Sequence, residues 1–434
     1  MRNLIKSCIF AENGKNKLKS KNKINISSGD KSKKSSPYIR LKPLITAFIA
    51  LGIITGVFSF KPAISSAETK SFTGSISAES AILIDSLSMS VLYEKNADKQ
   101  LPMASTTKIM TVLLALESQK TAETVTVTSE AAGIEGSSLG LSAGDKISLY
   151  DLCAGMMLSS GNDAAQAAAL YLSDNDISKF AGMMNARAKA IGMKSTNFVT
   201  PSGLDAEGHC STARDMSLLA ATAMKNYSFC TLASAQTARI HVGDQNEIRN
   251  ISNHNRLLKM YPGVCGIKTG FTKKAGRCLV SAVKLGQNYI IAVTLNAPDD
   301  WNDHMKMYDY AITVMQKKAL DSSCEGLRLP VLGSDKKEIS AVAEQITLYL
   351  PDTYDADIRR ETVINGALEA PVYEGNTIGQ IVYYINGREI ARSCIFAGES
   401  ALPPEKSRSF HEGKSDDTAA YFKEIFFKLL TGMQ

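Results

Sequence analysis

The sequence lacks the patterns that build metal sites. None of its eight cysteines forms a CxxC pair, which argues against a zinc site. Its five histidines show none of the spacings typical of metal ligands, and no internal repeat is evident. We therefore expect no metal, no cofactor and no repeat architecture.

The chain also lacks a basic folded surface. Its net charge is +6, but residues 1–42 contain twelve Lys and Arg against two acidic residues, so the remainder is slightly acidic. Nucleic-acid binding would need Lys and Arg clustered on a folded face and interleaved with aromatic residues. We therefore expect no nucleic-acid partner.

The composition, by contrast, is sufficient for stable cores. The chain has 434 residues, of which 44% are hydrophobic and 21% charged, so most of it is expected to fold. This length allows two or three domains.

The N-terminus carries an export signal. After a basic cytoplasmic leader, residues 1–42, the eighteen uncharged residues 43–60 could span about 27 Å of a bilayer core of about 30 Å. Small residues follow at 65–67, so residues 43–67 are either a cleaved signal peptide or a retained signal anchor. Because Lys and Arg stay cytoplasmic, the rest of the chain is expected outside, at the outer face of the cell membrane or the cell wall.

Seven cysteines lie beyond this export segment, an odd number, so at least one is free or pairs between chains. Cys265 and Cys278 flank a predicted hairpin. They are either cross-strand neighbours joined in a disulfide or small buried hydrophobic residues.

A Ser/Thr-rich linker, residues 68–80, precedes the first predicted domain, residues 81–320. Hydrophobic spacing predicts strands at 81–85 and 91–93, helices at 105–118, 149–158, 163–172, 177–191 and 214–224, strands at 266–269, 277–284 and 289–295, and a helix at 301–318. Strands at both ends with helices between them are typical of an α+β fold, an antiparallel sheet flanked by helices.

The C-terminal part has a different pattern. Predicted strands at 345–350, 358–363, 377–385 and 389–395, the last two joined by Asn386-Gly387, indicate a small all-β domain over residues 325–400. A linker, residues 401–417, leads to a predicted amphipathic helix, residues 418–434. Its apolar stripe lies either in a membrane interface or on the surface of this protein or a partner.

Ser105 and Lys108 lie three residues apart where a helix is predicted to begin, which places both side chains on one face. The positive helix end favours a reactive hydroxyl there. A lysine whose pKa is lowered by burial and a second cation can serve as base to a serine. The spacing alone is a weak signal, since Ser334 and Lys337 share it by accident.

Ser160-Gly161-Asn162 joins two predicted helices through a glycine. That setting would present Ser160 and Asn162 on a loop, where catalytic groups are often found.

Lys268-Thr269-Gly270 ends a predicted strand. A cation and a hydroxyl there could bind a carboxylate, and Gly270 would let a substrate approach the backbone. The backbone N–H of Phe271 would then be free to donate to an oxyanion.

Together and in this order, the three motifs resemble the active-site triplet of penicillin-binding proteins and serine β-lactamases. The surrounding segments are similar to low-molecular-weight D-alanyl-D-alanine carboxypeptidases: LPMASTTKIMTVLLALE, MLSSGNDAA, FVTPSGLDAEGHCSTARDM and GIKTGFTKKAGRCLVSA. The resemblance covers residues 78–318 and extends to a C-terminal β domain and tail of the kind those enzymes carry.

The resemblance implies a serine-type carboxypeptidase that removes the terminal D-alanine from peptidoglycan stem peptides through an acyl-enzyme, and that β-lactam antibiotics acylate. Ser105 would be the nucleophile, Lys108 its base, and Ser160 a proton relay to the leaving amine. The substrate-binding residues would be Asn162, Lys268, Thr269, Gly270 and Phe271. The termini would hold the enzyme at a membrane surface.

Two departures from the family pattern stand out. Cys210 occupies a position where relatives are expected to carry an aromatic residue, which puts the shape of its loop in doubt. Residues 296–300 lack the arginine that some relatives carry, so carboxylate recognition would rest on Thr269 and its neighbours alone.

Rival hypotheses are a serine β-lactamase and a non-catalytic penicillin-binding sensor. A class A β-lactamase needs an additional glutamate, and residues 190–210 offer only Asp205 and Glu207, in a glycine-flanked loop. Residues 136–140 match the GxSxG spacing of α/β-hydrolases, but loop residues follow where that motif needs a helix, so we interpret them as a turn.

Overall fold

The computed structural model of the protein describes residues 71–245, 247–352 and 358–405. The predicted leader (1–42), signal or anchor (43–67) and amphipathic helix (418–434) lie outside these residues, as does most of the predicted linker 401–417. Within the described ranges, no helix has the length and apolar character that crossing a bilayer requires.

The first domain contains strands and helices in alternating groups. Its strands are β1 (Ser80–Asp85), β2 (Val91–Lys95), β3 (Thr124–Thr126), β4 (Lys146–Ser148), β5 (Thr237–Val242), β6 (Glu247–Ser252), β7 (Val264–Thr272), β8 (Gly276–Leu285) and β9 (Asn288–Leu295). Its helices are α1 (Lys108–Glu117), α2 (Ser129–Ala132), α3 (Leu149–Leu158), α4 (Asn162–Leu172), α5 (Ile177–Ile191), α6 (Ala213–Ala223), α7 (Tyr227–Ser234), α8 (Leu257–Met260) and α9 (Asp300–Val314). A 3₁₀ turn, Ala104–Thr107, leads directly into α1.

An antiparallel sheet in the order β2-β1-β9-β8-β7 forms the centre of this domain. Successive side chains of a strand point to opposite faces, and both faces of β1 are buried. Ile82 and Ile84 pack into a core shared with α1, α3, α4 and α6, whereas Ala81 and Leu83 pack with α9. Helices therefore cover both faces of the sheet.

A second, smaller sheet has the order β3-β4-β5-β6. Its β5–β6 hairpin and the preceding helix α7 are not among the predicted elements. Most positions of β5 and β6 are exposed or half-buried, so neither strand shows the apolar pattern that would have indicated it.

The C-terminal part is an all-β unit. Its strands are β10 (Met315–Ala319), β11 (Arg328–Leu332), β12 (Glu338–Ala343), β13 (Thr347–Pro351), β14 (Arg359–Ile364), β15 (Leu368–Glu369), β16 (Thr377–Ile385) and β17 (Arg388–Ala397). Six of them form a sheet in the order β14-β16-β17-β12-β11-β15. Asn386 and Gly387 have φ of 51° and 74°, as a two-residue turn between β16 and β17 requires. The α+β class with a following all-β domain is confirmed.

The predicted helix 301–318 is too long at its C-terminal end. Helix α9 stops at Val314, and β10 continues the chain as a strand paired with β13, Met315 opposite Pro351. Pairing with a strand distant in sequence decides this end, and local helical spacing does not contain that information.

The described part of the predicted linker packs against the first domain. The backbone N–H groups of Ser77 and Ala78 and the Ser77 hydroxyl donate to the fully buried carboxylate of Asp303 on α9. Ile76 is buried beside them, so this stretch is held by contacts that its Ser/Thr-rich composition does not reveal.

The suggested disulfide between Cys265 and Cys278 is wrong. Cys278 lies opposite Gly270 in the β7–β8 pairing, whereas Val264, next to Cys265, pairs with Val283. The two cysteines therefore occupy different levels of the hairpin, and both are free thiols.

Candidate active site

Ser105 lies in the 3₁₀ turn before α1, with its side chain half-buried at the edge of a cleft. Ala104 before it adopts φ of 47°, which is uncommon for a residue other than glycine. A Cβ atom on Gly203 would lie 1.9 Å from the Ala104 carbonyl oxygen, so this turn tolerates only glycine against it. The nucleophile candidate thus sits on a tightly packed backbone.

Lys108 is fully buried one turn after Ser105. Its Nζ lies 2.9 Å from Ser105 Oγ and donates to Asn162 Oδ1 and to the carbonyl oxygen of Ser202, each at 2.7 Å. Burial, and next the nearby charge of Lys268, hold the pKa of this amine well below its usual value.

Ser160 and Asn162 lie at the turn between α3 and α4. Ser160 has φ of 60°, and its hydroxyl accepts from Lys268 Nζ at 3.0 Å. Asn162 Nδ2 donates to the carbonyl oxygen of Glu135 at 2.7 Å, which leaves its Oδ1 directed at Lys108.

Lys268, Thr269, Gly270 and Phe271 follow one another on β7. Lys268 is buried and also donates to the Thr269 carbonyl oxygen at 2.9 Å, and burial lowers its pKa to about 7. A Cβ atom on Gly270 would come within 3.0 Å of the Ser105 backbone nitrogen, so the missing side chain lets β7 lie against the nucleophile turn. Phe271 is exposed at the rim.

The predicted residues therefore come together around one cleft of about 380 Å³. Ser105, Ser160, Thr269, Gly270 and Phe271 line it. Lys108, Asn162 and Lys268 are buried and reach these residues through the contacts above.

Further lining residues are not among the predicted site residues. They are Ser137, His254, Arg256, Arg277, Asp300 and Trp301. His254 and Arg256 lie in the loop between β6 and α8. No local pattern marks this set, since its members come from two loops, from β8 and from the start of α9.

Arg277 is a cation of the cleft that the expectation about Thr269 and its neighbours did not include. Its guanidinium lines the cleft, donates to Asp300 Oδ1 at 2.7 and 3.0 Å, and lies 5.4 Å from the Trp301 ring centre. Arg277 lies on β8, opposite Phe271.

The structure shows the conformation of two loops discussed above, residues 136–140 and the loop that contains Cys210. The GxSxG stretch is a loop, as predicted, and Ser138 Oγ donates to Asp163 at 2.6 Å. Cys210 forms an isolated bridge with Asn197, beside His209, which contacts Thr107 Oγ1 at 2.9 Å and accepts from the Val199 backbone N–H. Burial lowers the pKa of His209 to about 4.

Comparison with known proteins agrees with this geometry. Residues 65–299 match the family model described as D-alanyl-D-alanine carboxypeptidase, and residues 322–401 match that of the penicillin-binding protein 5 C-terminal domain. The chain is 32% identical to D-alanyl-D-alanine carboxypeptidase DacF of Bacillus subtilis over 74% of this chain and 85% of that protein. It is 33% identical to DacC of Escherichia coli, over 79% and 89%.

Solved structures show the same likeness. Penicillin-binding protein 5 from Haemophilus influenzae has a TM-score of 0.54 and 26% identity, covering 76% of this chain and 98% of its own. A mutant of the Streptomyces K15 DD-transpeptidase has a TM-score of 0.54 and 29% identity, covering 56% of this chain and all of its own. Since the carboxypeptidase model spans more than half of its length, the chain belongs to the D-alanyl-D-alanine carboxypeptidase family, whose members are serine-type hydrolases.

Proposed function

We propose that this enzyme removes the terminal D-alanine from peptidoglycan stem peptides with Ser105 as nucleophile and Lys108 as its base. The contacts of Lys108 carry the proposal. A neutral amine has two N–H bonds and one lone pair. Asn162 Oδ1 and the Ser202 carbonyl oxygen take the two N–H bonds, which leaves the lone pair for the Ser105 hydroxyl, 2.9 Å away. The lowered pKa of Lys108 favours that neutral form more than in an exposed lysine.

In the acylation step, Ser105 Oγ attacks the carbonyl carbon of the penultimate D-alanine and its proton passes to Lys108 Nζ. Backbone N–H groups of Ser105 and Phe271 stabilise the oxyanion, a contribution of about 10²–10³ in rate per donor. The C–N bond then breaks, and the Ser160 hydroxyl relays the proton to the amine of the departing D-alanine. Water, activated by Lys108, hydrolyses the ester and restores Ser105.

The substrate carboxylate needs a positive environment at the Thr269 end of the cleft. As an ammonium, Lys268 donates to Ser160 and to the Thr269 carbonyl oxygen and keeps the local potential positive. We assign the terminal carboxylate to the Thr269 hydroxyl and the Arg277 guanidinium, because both line the cleft beside Ser105.

The test uses the full chain, a peptide ending in D-Ala-D-Ala, and penicillin. Wild type should release free D-alanine, and mass spectrometry should locate one penicilloyl adduct on Ser105. Ser105→Ala should show neither. An adduct on another serine, or D-alanine release by Ser105→Ala, would reject the nucleophile.

The same experiment distinguishes the rival functions. A lasting penicilloyl adduct fits the carboxypeptidase, whereas rapid turnover of penicillin indicates a β-lactamase. Asp300 is the acidic residue among those that line the cleft, and its carboxylate is paired with Arg277. These lining residues therefore offer no free carboxylate to activate the deacylating water. A protein that binds penicillin but never releases D-alanine would be a sensor.

We also propose that the enzyme acts at the outer face of the cell membrane, held by its termini. The basic leader with residues 43–60, and the apolar stripe of residues 418–434, support this placement. Cell fractionation tests it. The full chain should sediment with membranes, and removal of residues 418–434 should weaken that association; equal recovery of both forms in the soluble fraction would contradict it.

A further inference from the structure

Asp163 is a fully buried carboxylate that the mechanism above does not use. It directly follows Asn162 at the start of α4. Its Oδ2 accepts from the Ser138 hydroxyl at 2.6 Å and from the Leu141 backbone N–H at 3.1 Å. The Leu139 backbone N–H reaches both carboxylate oxygens at 2.9 and 3.0 Å. A carboxylate with this many donors fixes the position of the loop that supplies them.

That loop, residues 135–141, contributes Ser137 to the lining of the cleft. The Leu139 side chain closes over Gly155 on α3 and Gly161 in the α3–α4 turn, since a Cβ on these glycines would come within 2.1 and 3.0 Å of it, respectively. Arg249 on β6 donates to the Leu139 and Gly140 carbonyl oxygens at 3.3 and 3.1 Å from the other side.

The loop in turn positions Asn162. The Glu135 carbonyl oxygen accepts from Asn162 Nδ2 at 2.7 Å, and the Ser137 carbonyl oxygen accepts from the Asn162 backbone N–H at 2.6 Å. Asn162 Oδ1 then accepts from Lys108. A continuous path of contacts therefore connects the Asp163 carboxylate to the amine beside the nucleophile.

The electrostatic environment of Lys108 also points to Asp163. Lys108 and Lys268 are both buried, and the charge of Lys268 disfavours the charged form of Lys108. The charged and titratable groups around Lys108 are Lys268 from β7, Asp163 from α4 and His209, neutral and in contact with Thr107. Asp163 itself faces Arg249 from β6. Asp163 supplies the negative charge that acts on Lys108 and raises the pKa of its amine against the effect of burial.

We propose that Asp163 is a positioning residue of the reaction, which clamps residues 135–141 so that Asn162 holds Lys108, and whose negative charge acts on the Lys108 amine. The inference rests on the proposed role of Lys108 as base.

The test is the pH profile of kcat/KM for D-alanine release by the full chain. Asp163→Asn removes the anion, so the pKa of Lys108 falls and the acidic limb moves to lower pH. Misplacement of Asn162 lowers kcat/KM at the optimum by about 10- to 100-fold. The rate of penicillin acylation should show the same shift of its acidic limb.

Asp215 provides a matched control. It is a buried carboxylate that also clamps a loop, accepting from the Ser195 backbone N–H and the Thr196 hydroxyl, each at 2.7 Å, and it does not line the cleft. Asp215→Asn should lower stability without moving the acidic limb. An unmoved limb in Asp163→Asn would overturn the charge role.

Asp163→Glu decides the case if Asp163→Asn does not fold. It keeps the charge but displaces the clamp, so the limb should stay near its wild-type position while kcat/KM falls. A Glu variant with wild-type kcat/KM would overturn the clamp. If wild type neither releases D-alanine nor forms the Ser105 adduct, the proposed function fails; if wild type does both and the Asp163 variants match it, only this inference fails.

Discussion

The candidate active-site cleft and the C-terminal β domain place their charges in opposite ways. Lys108, Lys268 and Asp163 are 0–1% exposed around the cleft. In the β domain, the ion pairs lie at the surface, as in Arg392–Glu389 with side chains 47% and 42% exposed, and its core consists of aliphatic residues and tyrosine. Both regions carry charge, but among the residues that the structure describes, the cleft buries Lys108, Lys268 and Asp163, and the β domain leaves its own charged groups in water.

The difference shows how burial changes the stability and the pKa of a charged side chain. A desolvated lysine costs stability, and its charged form is disfavoured, so its pKa falls toward the pH at which it can act as a base. A surface ion pair contributes little to stability, and it does not bring the pKa of either partner into the range that such chemistry needs. In the cleft, burial of charge therefore lowers stability but makes the lysine side chains more reactive. In the β domain the charged groups stay in water, and no such effect arises.

The largest expected effect is on catalysis. Lys108→Ala should lower kcat/KM for D-alanine release by about 10²–10⁴-fold, the usual contribution of a general base. Lys336, exposed on the β domain and paired with Glu399, provides the control, and Lys336→Ala should leave kcat/KM unchanged. Equal activities of the two variants would remove the functional contrast between the regions.

The next effect concerns backbone packing, and it compares two glycines with positive φ. Gly203→Ala places a Cβ 1.9 Å from the Ala104 carbonyl oxygen and should cost about 3 kcal/mol or more, together with most activity. Gly387→Ala in the β16–β17 turn meets no atom within 4 Å and should cost about 1 kcal/mol from its φ of 74° alone. Thermal unfolding followed by circular dichroism measures both; similar losses would contradict the packing difference.

A smaller effect is the pH dependence of the cleft. Burial lowers the pKa of Lys268 to about 7, so its ammonium loses a proton as the pH rises through 7, and carboxylate binding weakens. We expect kcat/KM to fall on that side by about tenfold per pH unit. Lys268→Arg keeps the charge and should move this basic limb to higher pH, because arginine stays protonated. A limb at the same pH in both proteins would assign it to another group.

The smallest effect should come from the β-domain surface. Arg392→Ala breaks the exposed pair with Glu389, and we expect no measurable change in the unfolding midpoint or in kcat/KM. A clear fall in the midpoint would mean that this surface ion pair stabilises the domain.

Most of the first domain could be predicted because its elements have local causes. The helices Leu149–Leu158 and Ile177–Ile191 agree with their apolar spacing, and Gly192, with φ of 95°, ends the second. The hairpin β5–β6 could not be found in this way, because its sides are largely exposed. Strand β10 was mistaken for helix because only its pairing with β13 defines it.

The candidate site divides along the same line. Ser105 and Lys108 are in contact because one helical turn separates them, and their three-residue spacing predicts this contact. Ser160 and Asn162 were found by motif, and so was Lys268. Arg277, Asp300 and Trp301 were missed, because no short pattern marks a guanidinium, a carboxylate and an indole that meet only after folding.

The sequence by itself determined the candidate reactive groups, their order along the chain and the local turn that places Lys108 beside Ser105. Tertiary structure alone decided that Lys268 reaches Ser160 across 108 positions of sequence, and that Arg277 lines the same cleft beside Asp300 and Trp301. It also decided the pKa values of the two lysines. The reason is physical: a short-range pattern fixes dihedral angles and neighbours, whereas loss of water and the approach of distant charges depend on how every element packs.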